Sequence, residues 1–141
     1  MLTVHRFRLG MTVTAVLILA GCGGGGGSSS GSQLNVSGTY YLSRLPNGGG
    51  ASASGTSGTA VITDTSSGDF TGTFTPNYFA LPPQKLTGHH TDTSVNFTFA
   101  DGTTFTSNNV GQNGSGGKIF ASGTFTNDPT YGSGTFSLSQ Q

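Results

Sequence analysis

The sequence predicts a small all-β domain, and three observations carry that prediction. The chain of 141 residues contains 25 Gly but only 7% charged residues, and Ser and Thr are similarly abundant. Gly costs about 1 kcal/mol relative to Ala in a helix, and Ser and Thr compete with the helical backbone for hydrogen bonds. Ten Phe and four Tyr, mostly in alternating runs, separate the chain from a disordered Gly/Ser polymer. A short sequence motif that ends in an aromatic residue also recurs along the chain.

Residues 1–21 have the features of a secretory signal. Arg6 and Arg8 form a positive segment, and the apolar stretch Met11–Ala20 follows it. This stretch is too short to span a bilayer core, which takes about 20 residues. We therefore expect residues 1–21 to be removed.

The end of this signal, Leu19-Ala20-Gly21-Cys22, resembles the lipobox of bacterial lipoproteins. The resemblance implies cleavage before Cys22 and lipidation of its sulfur, with a further acyl chain such as palmitate on the new amine. Two or three acyl chains give stable membrane anchoring. In the lipoprotein family an Asp directly after the cysteine retains the protein in the inner membrane, so the resemblance, with Gly23 at this position, implies the outer membrane. Cys22 is also the only cysteine, so it cannot form an internal disulfide. The alternative is an ordinary signal peptide with an accidental cysteine.

A tether separates this anchor from the folded part. Residues 22–33 consist of Cys22 and a Gly/Ser-rich segment without apolar side chains. Such a coil has a root-mean-square span of about 18 Å. The domain is therefore expected to comprise residues 34–141.

The folded part repeats a phrase of a small or apolar residue, then Ser or Thr, then Gly, then usually Thr, then an aromatic residue. Its copies are VSGTYYL (36–42), FTGTFT (70–75), LTGHHT (86–91), ASGTFT (121–126) and GSGTFSL (132–138). Because side chains alternate faces along a strand, the first residue, the Gly and the aromatic share one face. That inner face carries Val36, Gly38, Tyr40, Leu42; Phe70, Gly72, Phe74; Ala121, Gly123, Phe125; and Gly134, Phe136, Leu138.

Glycines on one face of successive strands permit strong bending, which favours a sheet that closes on itself. Further strands are predicted at 59–64, 95–100 and 103–108, and the last two flank the hairpin signal Asp101-Gly102. The inner face of this hairpin carries Val95, Phe97, Phe99 and Phe105. The sequence therefore predicts an antiparallel eight-stranded up-and-down barrel, with a β-sandwich as the second choice.

This strand rhythm resembles that of avidin-like and lipocalin-like (calycin-type) barrels over most of residues 35–141. The biotin site of the avidin family relies on several tryptophans, and this chain has none. Biotin binding is therefore not implied.

Three connections are expected to be long: 45–58, 76–84 and 109–117. The first two lie at one end of a meander, away from the tether. Tyr78, Phe79 and Leu81 there are expected either to cap a lumen or form a binding patch, or to plug the barrel end as core.

The adjacent histidines His89 and His90 point to opposite faces if residues 86–91 form a strand, so they cannot chelate one metal ion. His90 is expected inside, either bonded to a Thr or Tyr or, with Phe97, Phe99 and Phe125, lining a lumen for a small apolar ligand. A His/Asp/Ser arrangement with Asp92 and Ser94 is disfavoured, since three residues on one turn do not meet in triad geometry. With no Glu and no free thiol, no catalytic residues, metal or cofactor are expected.

The charges balance to zero and leave no basic footprint, so nucleic acid is not an expected partner. The expected function is a non-catalytic binding or interaction module, held in the outer membrane by lipid on Cys22. Alternatives are an accessory envelope lipoprotein that binds another protein through its outer wall and, less favoured, a hydrolytic enzyme.

Overall fold

A computed structural model describes residues 34–48, 57–65, 67–78, 81–113 and 117–141. The signal, Cys22 and the tether lie outside these residues. Within them the chain forms nine β-strands and no helix. The strands are β1 (Gly38–Pro46), β2 (Ser57–Asp64), β3 (Asp69–Pro76), β4 (Gln84–His90), β5 (Val95–Phe99), β6 (Thr104–Ser107), β7 (Val110–Asn113), β8 (Lys118–Asp128) and β9 (Gly132–Gln140). No helix that could cross a membrane occurs in this part of the chain.

The strands form a closed antiparallel barrel. Each strand from β1 to β5 pairs with the next, β8 pairs with β9, and β9 returns to β1. Pairing of Phe105 with Phe125 joins β6 to β8 and completes the ring. Eight strands therefore close the barrel and β7 is an additional strand, which confirms the predicted all-β barrel.

The extra strand β7 falls in residues 109–117, which the sequence predicted as a polar loop. Val110 pairs with Ala121, so β7 runs along the first half of β8, while β6 pairs with its second half. Between β6 and β7, Asn109 Nδ2 donates to Ser122 Oγ at 2.9 Å. The loop prediction was thus wrong for Val110–Asn113, because β8 begins earlier than the repeat indicated and offers an unpaired edge.

The two ends of the barrel differ in what covers them. We call the base the end that carries residues 34–37, the β2–β3 and β4–β5 connections and the C-terminus. Its N-terminal segment is held by Leu34 N, which donates to Asp92 Oδ1, and Val36 N, which donates to Asp64 Oδ2. We call the opposite end the rim, which carries the β1–β2, β3–β4, β5–β6 and β8–β9 connections.

The inner-face alternation of the sequence is confirmed, and the structure adds a reason for the glycines. The predicted apolar inner residues are all buried. A Cβ on Gly88 would meet the Phe70 ring at 2.5 Å, and one on Gly58 would meet the Phe74 ring at 2.7 Å. Each such glycine also faces a carbonyl oxygen of the neighbouring strand. The glycines therefore make room for aromatic rings inside a strongly coiled sheet.

Replacing Gly134 by Ala is expected to destabilise the fold by about 1–3 kcal/mol, the usual cost of overpacking a core. The new Cβ would collide with the carbonyl oxygen of Leu45 and lie 2.7 Å from the Phe125 ring. Urea unfolding of the purified protein measures the loss. Ser137→Ala, at an exposed position of the same strand, is the control and should stay within about 0.5 kcal/mol. Equal midpoints for the two variants would contradict this account of the glycines.

Candidate functional site

The interior of the barrel is filled by phenylalanine rings. Phe97, Phe99 and Phe125, which the sequence placed around a lumen, all lie inside and are at most 4% exposed. At their centre the Phe105 ring stacks on Phe97, with centroids 4.4 Å apart, and lies 4.7 Å from Phe99. Phe136 meets Phe105 edge-on at 5.3 Å. These arrangements are those of favourable aromatic packing, so the rings form a core.

Towards the base the packing leaves a small apolar cavity. Its volume is about 10 Å³, and its walls include Val36, Ile62 and Leu138. Such a volume admits roughly one water molecule, whereas pockets for small ligands measure about 300–1,000 Å³. The described part of the interior therefore offers no room for a ligand.

His90 lies inside the base, as the sequence predicted, and is 1% exposed. Its hydrogen-bond partner is a carboxylate rather than the expected Thr or Tyr hydroxyl: Nε2 donates to Asp64, 3.0 Å from Oδ2. Asp64 continues the inner face of β2 after Ile62, which brings it to the same end as His90. Because the same oxygen accepts from Val36 N, this pair also fixes the segment that enters β1.

Tyr40 lies beside this pair, and its hydroxyl donates to Val36 O at 2.8 Å. Burial and the negative charge of Asp64 raise the pKa of Tyr40 to about 12. An unfolded tyrosine has a pKa of about 10. Between these values the folded protein keeps a proton that the unfolded chain releases, so stability falls as pH rises.

We therefore expect the urea midpoint to drop between about pH 10 and about pH 12, and the drop to be smaller in Tyr40→Phe. This variant loses a buried hydrogen bond, so its free energy of unfolding at neutral pH should be lower by about 1 kcal/mol. All other tyrosines are common to both proteins, which makes the difference in slope specific to Tyr40. Identical slopes would contradict the assignment.

A buried ion pair closes the interior near the rim. Arg44 Nη1 lies 2.6 Å from Asp128 Oδ2, and the side chains are 5% and 2% exposed. The guanidinium carbon also lies 5.6 Å and 5.8 Å from the ring centres of Phe74 and Phe99, within cation–π range. The sequence reasoning missed this pair, although Arg44 continues the inner face of β1 two residues beyond Leu42.

A β-bulge in β8 explains why Asp128 points inward. Phe125 pairs with Gly134, but Asp128 pairs with Gly132, so β8 carries one extra residue. Asn127 within the bulge has a φ of 60°, a conformation that Asn adopts more readily than most residues. Strict alternation from Phe125 would turn Asp128 outward, and the bulge reverses this.

The β3–β4 connection lies at the rim, where the sequence placed it. Tyr78 and Leu81 are 52% and 43% exposed, so neither is packed into the barrel end. Phe79 lies outside the described residues. Tyr78 and Leu81 therefore offer apolar surface at this end.

The outer wall carries an open groove of about 490 Å³ across β3, β4, β5 and β6. Two rows of outward side chains border it. The first row is Asp69, His89 and Asn96, which are direct partners on adjacent strands. The second row is Thr71, Thr87, Thr98 and Thr104. We call this feature the wall groove.

Asp69, the charged residue of the wall groove, is oriented by its neighbours. His89 Nδ1 donates to Asp69 Oδ1 at 2.8 Å, and Ser67 Oγ donates to Oδ2 at 3.2 Å. The hydrogen bonds from His89 and then Ser67 lower the pKa of Asp69. Asp69 is thus held as a carboxylate, and His89 Nε2 has no hydrogen-bond partner among the described residues.

The described residues contain no group of three or more His, Cys, Asp or Glu side chains that could hold a metal ion. Ser94, considered above with Asp92, bonds Thr91 through its hydroxyl at 2.7 Å, whereas Asp92 accepts from Leu34 N.

No known protein family, curated protein or solved structure matches this chain.

Proposed function

We propose that this chain is a bacterial envelope lipoprotein, anchored in the outer membrane through Cys22, whose barrel is a non-catalytic binding module that uses its outer wall. The filled interior carries the second half of this proposal. Stacked rings around Phe105 leave a cavity of only about 10 Å³ among the described residues. A partner is then met on the outside, where the open wall groove lies.

The anchor half of the proposal is supported by the lipobox-like sequence together with the position of Leu34 at the base. A tether that enters at the base directs the rim away from the membrane and leaves the wall accessible. Replacing Cys22 by Ser is expected to move the protein from the membrane fraction to the soluble fraction. Continued membrane association of that variant would overturn the anchor.

An envelope protein as the partner is a second candidate, and exposed apolar side chains favour it. Tyr41 and Val61 are 40% and 52% exposed on the outer faces of β1 and β2. They lie diagonally across the strand pair, because Tyr41 opposes Thr59 and Thr39 opposes Val61. A protein partner with an apolar surface of its own would cover these two side chains.

Photo-crosslinking in intact cells tests the use of the wall. A photoreactive amino acid at Thr98 or at Tyr41 probes the wall groove or the apolar pair, and both positions are exposed. The proposal predicts an adduct from at least one of them. Native mass spectrometry of the protein purified from its host tests the opposite possibility, a ligand carried in the interior. A co-purified apolar molecule would overturn an outer-wall function.

A further inference from the structure

We propose that the wall groove binds a neutral saccharide chain, laid across the strands with about one sugar ring per strand. This inference rests on the proposed function, because it requires the outer wall to be the binding surface. It assigns a ligand class to side chains that the barrel itself does not need.

The hydrogen-bonding groups of the groove are available for a ligand. Among the described residues, His89 Nε2, the Asn96 amide and the Thr87 and Thr98 hydroxyls have no protein partner. Imidazole, amide and hydroxyl groups together offer both donors and acceptors. Sugar hydroxyls need that mixture, because each can both donate and accept.

The charge of the groove selects against anionic ligands. Its residues include the carboxylate of Asp69 but no Lys or Arg. Phosphate and sulfate recognition relies on such cations, usually on Arg in bidentate geometry. A carboxylate held by His89 and Ser67 is instead an acceptor for hydroxyl donors. The chemistry therefore favours a neutral polyhydroxylated ligand.

A strip without outward side chains lies between the two polar rows. Gly88 pairs with Phe70 on one side and with Phe97 on the other. Gly88 has no side chain and the buried Phe70 and Phe97 turn theirs into the barrel, so no side chain covers the wall between the two rows. A sugar ring can lie flat on this uncovered strip, while its hydroxyls extend sideways to the polar rows.

The direction of the rows suits a polymer. Adjacent strands lie about 4.8 Å apart, which is close to the length of one pyranose unit in an extended chain. The threonine row crosses four strands at this spacing, from Thr71 to Thr104. A peptide added as an extra strand does not fit here, because β3, β4, β5 and β6 are each paired on both sides.

Nuclear magnetic resonance titration of the purified protein in detergent tests the inference, with cellohexaose and chitohexaose as probes. We expect saturable shifts at the backbone amides of Thr87, His89, Asn96 and Thr98, with a Kd on the order of 1 mM. Glycerol at equal hydroxyl concentration should give no saturable shift. No saturable shift with either sugar, or shifts elsewhere on the barrel, would overturn the inference.

Matched variants separate the groove from the rest of the wall. Asn96→Ala and Thr98→Val are expected to weaken binding at least about tenfold, while Thr135→Val, an equally outward threonine on β9, should leave it unchanged. Equal losses in Thr98→Val and Thr135→Val, or tighter binding of a heparin oligosaccharide than of both neutral sugars, would also overturn it. If sugars fail but a photoreactive group at Thr98 captures a protein, the outer-wall function stands and the saccharide inference falls.

Discussion

Phe105→Ala is expected to destabilise the protein by about 3–5 kcal/mol, the usual cost of deleting a buried phenylalanine ring. Phe105 is fully buried and lies within 6 Å of the rings of Phe97, Phe99, Phe125 and Phe136. Removal of this ring leaves a cavity that surrounding rings on a closed sheet cannot collapse to fill. Urea unfolding, with the slope checked for two-state behaviour, measures the loss.

Phe120→Ala is the matched control for this deletion. Phe120 is only half-buried and lies on the outer side of β8, over Gly111, where a Cβ would meet its ring at 2.6 Å. Its removal uncovers surface without opening a cavity, so the expected loss is about 1 kcal/mol. If the two variants lost equal stability, the interior would not be the rigid core described above.

Asp128→Ala is expected to cost about 3–5 kcal/mol, because it leaves the Arg44 charge buried without its carboxylate. The same change removes the acceptor for Thr130 N and Tyr131 N, which bond Asp128 Oδ1 at 2.8 Å and 2.9 Å. The β8–β9 turn should therefore loosen together with the ion pair. Urea unfolding gives the total, and amide hydrogen exchange at Tyr131 reports the turn.

The double variant Arg44→Met, Asp128→Leu distinguishes a lost pair from a merely disturbed rim. Replacing both partners by apolar residues of similar size removes both buried charges, and such exchanges are often neutral or stabilising. We expect the double variant to be more stable than Asp128→Leu alone and than Arg44→Met alone. Additive losses in the double variant would show that the two side chains do not interact.

The sequence was sufficient to predict the barrel, because its aromatic phrase carries a period of two in nearly every strand. The inner positions of Tyr40, Phe74 and Phe136 follow from that alternation alone. The Asp101-Gly102 turn is also as predicted: Gly102 has a φ of 94°, and β5 and β6 pair across it.

The features that were not predicted arise where alternation fails or where the partner is distant in sequence. The bulge at Asn127 shifts the alternation by one residue, so Asp128 could not be assigned to the interior beforehand. Arg44 and Asp128 meet across 84 positions of the chain, and His90 meets Asp64 across 26. The wall groove has the same cause, since Asp69, His89 and Asn96 become neighbours only once register places three strands side by side.

Xenon binding followed by methyl and aromatic resonances tests most directly whether the barrel interior is a filled core. Xenon enters apolar cavities large enough to hold it. Phe105→Ala, which opens such a cavity, should give saturable shifts at the neighbouring rings of Phe99 and Phe136 and serves as the positive control. The unaltered protein is expected to give none. Saturable xenon shifts in the unaltered protein around Phe97 and Phe125 would contradict the filled interior and return the ligand site to the lumen.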